Sequence, residues 1–203
     1  MRTIQAEDIS AAVRDMCIKA NCSLQPDVVD ALHKARETEP WPTAQATLDS
    51  ILENVTIGTE NQVPLCQDTG ATCVFVELGQ DVRIEGGLLP DAINEGVARG
   101  YTEGYLRKSM VADPLRRKNT GDNTPALIHT EIVAGDHLKI TIAPKGAGSE
   151  NMGKIKMLKP RRWPPRCDGF CIGSRARGRA ESMSAHRGRC RHRWQLRPLC
   201  QAG

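Results

Sequence analysis

The sequence predicts a mixed α/β (α+β) fold, a helical N-terminal segment followed by a mixed sheet with helices. Two patterns predict it. Apolar residues recur at helical spacing through the first 60 residues, and from Thr56 short β-type runs separated by glycine take over. A third observation bounds the domain. Residues 1–160 hold 17 Lys plus Arg against 22 Asp plus Glu, a net charge of −5, whereas residues 161–203 hold 11 Arg, no Lys and 2 acids, a net of +9. Half of the 8 cysteines (Cys167, Cys171, Cys190, Cys200) sit in that short tail. The expected organisation is therefore one domain over 1–160 and a tail over 161–203, irregular or disordered.

Each element follows from local pattern. Asp8 is placed to cap a helix whose apolar positions are Ile9, Val13, Met16, Cys17 and Ala20. Pro26 suits a first helical position, and Val28, Val29, Leu32 and Ala35 continue on one face. A third helix is predicted from Thr43 to Val55 through Ala44, Leu48, Ile51 and Leu52. Core packing accounts for all three stripes without a partner. Thr72 to Leu78 reads as a strand, and Leu89 to Lys108 as an amphipathic helix with Ile93, Val97, Tyr101 and Tyr105 on one face. Ala126 to Val133 and His137 to Ala143 read as two strands joined by Ala134-Gly135-Asp136, a hairpin signal.

Composition narrows the class. At 203 residues, 39% hydrophobic and 26% charged, the chain is ordinary for a soluble globular protein. No run approaches the roughly 18 apolar residues that span a bilayer, and the N-terminus lacks the apolar stretch of a secretion signal. A cytoplasmic, reducing compartment is the expectation, where cysteines serve as ligands or spectators more often than as disulfides.

Three polar, glycine-containing segments lie between apolar runs, where side chains can be aimed into a cleft. Pro64-Leu65-Cys66-Gln67-Asp68-Thr69-Gly70 sets a soft thiolate beside an amide, a carboxylate and a hydroxyl. Thiolate suits iron–sulfur or zinc, and the hard groups suit a polar substrate; a buried cysteine beside an Asx-type turn is the competing reading. Arg107-Lys108-Ser109, followed by Asp113 to Pro125, brings five cations among turn formers, either a site for small carboxylates or a solvated basic loop. Lys145-Gly146-Ala147-Gly148-Ser149-Glu150-Asn151 follows a strand, and its glycines let backbone approach an anion closely. It lacks Walker spacing, so it is not read as a nucleotide loop.

Together the order CQDTG, then LRKSMV-DPL-RKNTGDNTPA-IH, then KGAGSENM-KIKMLKP resembles the N-terminal half of the class I iron–sulfur hydro-lyases, the family of class I fumarate hydratase and the alpha subunit of L(+)-tartrate dehydratase. The resemblance covers residues 1–160. It implies a [4Fe–4S] cluster held by three cysteines with one iron open to a small dicarboxylate substrate. It implies Cys66 as a cluster ligand, Asp68 as a catalytic and substrate-contacting group, and Gln67 and Arg107 as substrate ligands. Lys145, Gly146, Gly148 and Ser149 would line the site. His129 falls in the matched IH pair and is expected as a satisfied core histidine; Cys17, Cys22 and Cys73 are expected to be structural. A beta subunit or fused C-terminal domain would supply the proton-transfer base and further arginines, in an oligomer.

The resemblance stops at Pro160, where the family would continue to a CPP segment with the second ligand and then a GIGG stretch. Read one nucleotide later, Met183 followed by a TCN-type Ser184 gives Cys, and Trp194 followed by Gln195 gives Gly. The tail therefore reads as out of frame, two cluster ligands are missing, and the chain as written is expected to be an inactive fragment. The rival reading takes the tail at face value. Cys167, Cys171, His186, Cys190, His192 and Cys200 would form a zinc module, and 11 arginines would grip nucleic acid. No paired CxxC supports that zinc site, and only Trp163, Phe170 and Trp194 are available for stacking.

Overall fold

The computed structural model describes residues 1–146. Its elements run β1 (Arg2–Gln5), α1 (Ala6–Cys22), α2 (Pro26–Thr38), α3 (Pro42–Asn61), β2 (Ala71–Gly79), β3 (Val82–Glu85), α4 (Leu89–Glu103), β4 (Leu127–Val133) and β5 (Leu138–Lys145). This is the mixed α/β architecture expected. Gly148, Ser149 and the whole tail lie outside the described residues.

The centre is a three-stranded sheet in the order β4-β2-β5. β2 pairs parallel with β4, Cys73 opposite Leu127, and antiparallel with β5, Ala71 opposite Lys145. The predicted hairpin between the last two strands does not form. β2 lies between them, and the Ala134–His137 turn passes over its end, with Gly79 N–H donating to the His137 carbonyl at 2.8 Å. A Cβ at Gly79 would lie 2.5 Å from the Gly135 carbonyl, so this crossing requires glycine. Sequence proximity and turn chemistry favour a hairpin, but the apolar alternation of β2 wins the central position. Two short strands that sequence patterning did not reveal, β1 and β3, pair in parallel as a separate ribbon.

One face of the sheet carries the core. Val74 and Val76 are 0% and 1% exposed, while Phe75 between them is 48% exposed, the period-two alternation of a half-covered strand. Against the buried face pack α1 and α4, which contribute Ile9, Val13, Cys17, Ile93, Val97 and Tyr101. The two helices approach closely because Gly96 and Gly100 of α4, and Gly104 just past its end, fall one turn apart. A Cβ at Gly96 would lie 2.6 Å from the Ser10 carbonyl.

Four local expectations are corrected. Gln5, not Asp8, is the residue before the first helix, and Asp8 falls in its first turn, where a carboxylate favours the helix N-terminus. The third helix extends six residues beyond Val55 to Asn61 and ends on Gln62 in the left-handed region, φ 53°. The helix from Leu89 stops at Glu103, so Tyr101 is buried while Tyr105 is 92% exposed. The apolar stripes of α2 and α3 do not enter the core. α2 buries no residue and α3 only Gly58, leaving Trp41 exposed between them.

Candidate active site

The loop carrying Cys66 is anchored at Leu65, just before the cysteine. Leu65 N–H donates to the Asn21 carbonyl at the end of α1 (2.9 Å), and the Leu65 carbonyl accepts from Asn54 Nδ2 of α3 (2.9 Å). Cys66 and Gln67 follow, both exposed, then half-buried Asp68 and buried Thr69 and Gly70. Asp68 Oδ1 accepts from the Gly70 N–H at 3.1 Å, an Asx-type turn that aims the carboxylate back across its own loop. Gly70 has φ 65°, and a Cβ there would overlap the Lys145 carbonyl, so only glycine allows the loop to enter β2 beside β5.

Sequence positions far apart meet on this loop. Thr69 Oγ1 donates to the Arg107 carbonyl at 3.0 Å. Asn123 Nδ2 donates to the Gly70 carbonyl at 3.1 Å, and its Oδ1 accepts from the N–H groups of Ser109 (2.7 Å) and Met110 (3.1 Å). From below, Tyr101 Oη donates to the Thr69 carbonyl at 2.8 Å. Gly146, next to Lys145 at the end of β5, lies against Asp68: a Cβ there would be 3.1 Å from Asp68 Oδ2. Of the expected site residues, Cys66, Gln67, Asp68, Arg107, Lys145 and Gly146 thus fall on three segments that converge.

Asn123 and Tyr101 are the residues that sequence reasoning missed. Asn123 is 0% exposed with φ 65°, a region asparagine tolerates better than most side chains. Its neighbours Gly121, Asp122, Thr124 and Pro125 read as turn formers, which hid a fully buried polar hub. The helical spacing accounts for the Tyr101 ring in the core and carries no signal for its hydroxyl at the loop.

His129 departs from expectation. It is exposed and stacks on Phe75 across β2 and β4, ring centroids 5.2 Å apart and planes at 15°, on the open face of the sheet. Cys17 and Cys22 are buried in α1 as expected, and burial pushes the Cys17 thiol up to about 12. Cys73 is half-buried on β2.

A four-iron cluster needs several thiolates. Cys66 is the one exposed cysteine among the described residues, and no group of three or more His, Cys, Asp or Glu there is placed to hold a metal ion. The described donor set therefore fits one ligand position of such a cluster and not a complete site.

Comparison with known proteins assigns the family. The family model described as fumarate hydratase (Fumerase) matches residues 10–172, more than half of the chain. A protein of Methanocaldococcus jannaschii with the provisional name L(+)-tartrate dehydratase subunit alpha is 39% identical over 158 residues, 75% of this chain and 55% of that protein. The anaerobic class I fumarate hydratase of Escherichia coli K12 is 35% identical over 131 residues, 63% of this chain and 23% of that enzyme. The L(+)-tartrate dehydratase alpha subunit of Escherichia coli UTI89 is 27% identical over 137 residues, 66% and 45% of the two chains. The chain belongs to the fumarate hydratase (Fumerase) family, and it spans about half or less of the length of these relatives.

Proposed function

We propose that this chain is the N-terminal part of a hydro-lyase that reversibly adds or removes water on a small dicarboxylate, fumarate/malate or tartrate/oxaloacetate. The observation that carries the reading is the hydrogen-bonded convergence of the Cys66–Gly70 loop with the Arg107–Met110 segment, with Gly146 close against Asp68. Arg107, exposed beside the loop, offers a planar fork for a substrate carboxylate. Gln67 offers an amide that can donate to a hydroxyl or carboxylate oxygen, and Asp68 a carboxylate held on the same loop. Cys66 would be one ligand of a [4Fe–4S] cluster, which when bound supplies a Lewis acid for the substrate hydroxyl.

The proposal includes the rest of the enzyme. Two further thiolate ligands, and the base that handles the proton on the neighbouring carbon, come from outside residues 1–146. A beta subunit or fused C-terminal domain is the proposed source of the base, and a cytoplasmic location is part of the proposal. Among the described residues no helix is long and apolar enough to cross a membrane.

Residues 161–203 are proposed to be out of frame, leaving this chain without a complete cluster. Resequencing the gene from codon 150 past the stop tests that clause: an inserted or missing base near codon 160 should restore CPP, GIGG and a later cysteine. Anaerobic reconstitution of the chain with iron and sulfide tests the consequence. No stoichiometric cluster absorbance is expected, and a full four-iron cluster would contradict the fragment reading.

A further inference from the structure

We propose that Asn123 and Thr69 are positioning residues that set the distance between the Asp68 loop and the Arg107 arm, and so determine dicarboxylate affinity without touching the ligand. The inference rests on the dicarboxylate reading of the site and deepens it.

The argument begins with burial. Asn123 is 0% exposed and Thr69 is 2% exposed, so neither side chain is available to a substrate. A buried amide in an apolar surround is costly unless its donor and acceptor are used. Asn123 uses both, and in opposite directions. Nδ2 reaches the Gly70 carbonyl at the end of the CQDTG loop, and Oδ1 takes the Ser109 and Met110 N–H groups just beyond Arg107. The amide therefore bridges segments 53 residues apart on one side and 14 or 13 on the other. Thr69 Oγ1 makes a second, independent strut to the Arg107 carbonyl itself.

Arg107 has an exposed side chain on an irregular segment after α4, so no helix or strand ladder fixes its backbone. Between Leu106, 4% exposed in the core, and Met110, these two struts tie the segment to the loop, while Asn119 Nδ2 holds the Lys108 carbonyl at 2.8 Å. A bidentate carboxylate contact is sensitive to placement at the scale of an ångström, so an arm held to the loop through these two side chains sets affinity through position. The chemistry also explains why asparagine stands here. Aspartate would keep the acceptor for Ser109 and Met110 but turn a carboxylate oxygen toward the Gly70 carbonyl.

The test uses the full chain, labelled with nitrogen-15, and succinate as an unreactive dicarboxylate. In the wild type, succinate should shift the amides of Asp68 and Arg107 and slow hydrogen exchange at Ser109 and Met110, whose N–H groups are given to Asn123. Asn123→Asp should keep Ser109 and Met110 protected without ligand, yet weaken succinate binding about tenfold. Thr69→Val, which breaks only the other strut, should also weaken binding about tenfold. That pattern separates positioning from a local structural role, which would expose the Ser109 and Met110 amides first. Succinate affinities within about twofold of wild type in both variants would overturn the inference alone. So would succinate binding in the wild type with unchanged exchange at Ser109 and Met110, a result that needs no variant. A wild-type chain that does not respond to succinate would overturn the claim that the Asp68 loop and the Arg107 arm hold a dicarboxylate by themselves, and the positioning role with it.

Discussion

The Tyr101 hydroxyl donates to the Thr69 carbonyl at 2.8 Å, so the last buried turn of α4 carries the loop that presents Cys66 and Asp68. The ring fills the core and the oxygen supports the site, linking packing to function through one side chain. Tyr101→Phe keeps the ring and removes the donor, leaving the Thr69 carbonyl short of a partner. A loss of about 1 kcal/mol in urea unfolding is expected. Because Thr69 adjoins Asp68, faster exchange of the Gly70 amide should accompany it.

Stability should fall as the solution turns alkaline. Burial raises the Cys17 thiol from 9.0 to about 12 and raises the Tyr101 phenol as well. Both groups stay protonated in the fold after their unfolded counterparts ionise. Their contribution is complete below about pH 9, and it is lost as the pH climbs through the folded value, about 12 for Cys17. Thermal unfolding midpoints measured from pH 8 upward should decline, and Cys17→Ala should flatten the decline while lowering stability at pH 8.

Gly70→Ala should be among the most damaging single changes in the loop. The position combines φ 65° with backbone of Lys145 where a Cβ would sit. Neither strain can relax without parting β2 from β5 at the Ala71–Lys145 pair. A loss of at least about 2 kcal/mol is expected by urea titration.

Gly96→Ala reports on helix packing and not on the site. Alanine favours an isolated helix by about 1 kcal/mol over glycine, but its methyl would lie 2.6 Å from the Ser10 carbonyl and 2.7 Å from Val13 Cβ. Overpacking wins, and a net loss of about 1 to 2 kcal/mol is expected. Asp68 amide shifts should stay near wild type, since the α1–α4 contact at Gly96 is remote from the loop in sequence and hydrogen bonding.

The contrast between these residues explains what was legible in the sequence. α1, β2 and α4 were readable because each buries one face, so Val13, Val74 and Ile93 announce a period. β1 and β3 were not, since four residues hold too little alternation and their pairing is with each other across 80 positions. α2 and α3 showed helical period correctly but not destination: apolar spacing says that a face exists, not what covers it. The β4–β5 turn looked like a hairpin because local chemistry cannot report a third strand slipping between. The motifs pointed to the segments of Cys66, Asp68 and Arg107, which the fold brings together. Asn123 was hidden because a buried asparagine and a turn asparagine have the same letter and the same neighbours. His129 was misplaced since the outer face of the sheet, where it stacks on Phe75, also alternates.

The central claim is that Asp68 and Arg107 belong to one dicarboxylate site, and their joint response to a ligand tests it most directly. Titrating the labelled chain with succinate should move the Asp68 amide and the Arg107 guanidinium Nε–H along one binding curve. Arg107→Ala should weaken that curve by roughly tenfold or more, the worth of a charge-assisted contact. Separate curves for the two residues, or a curve unchanged by Arg107→Ala, would contradict the account.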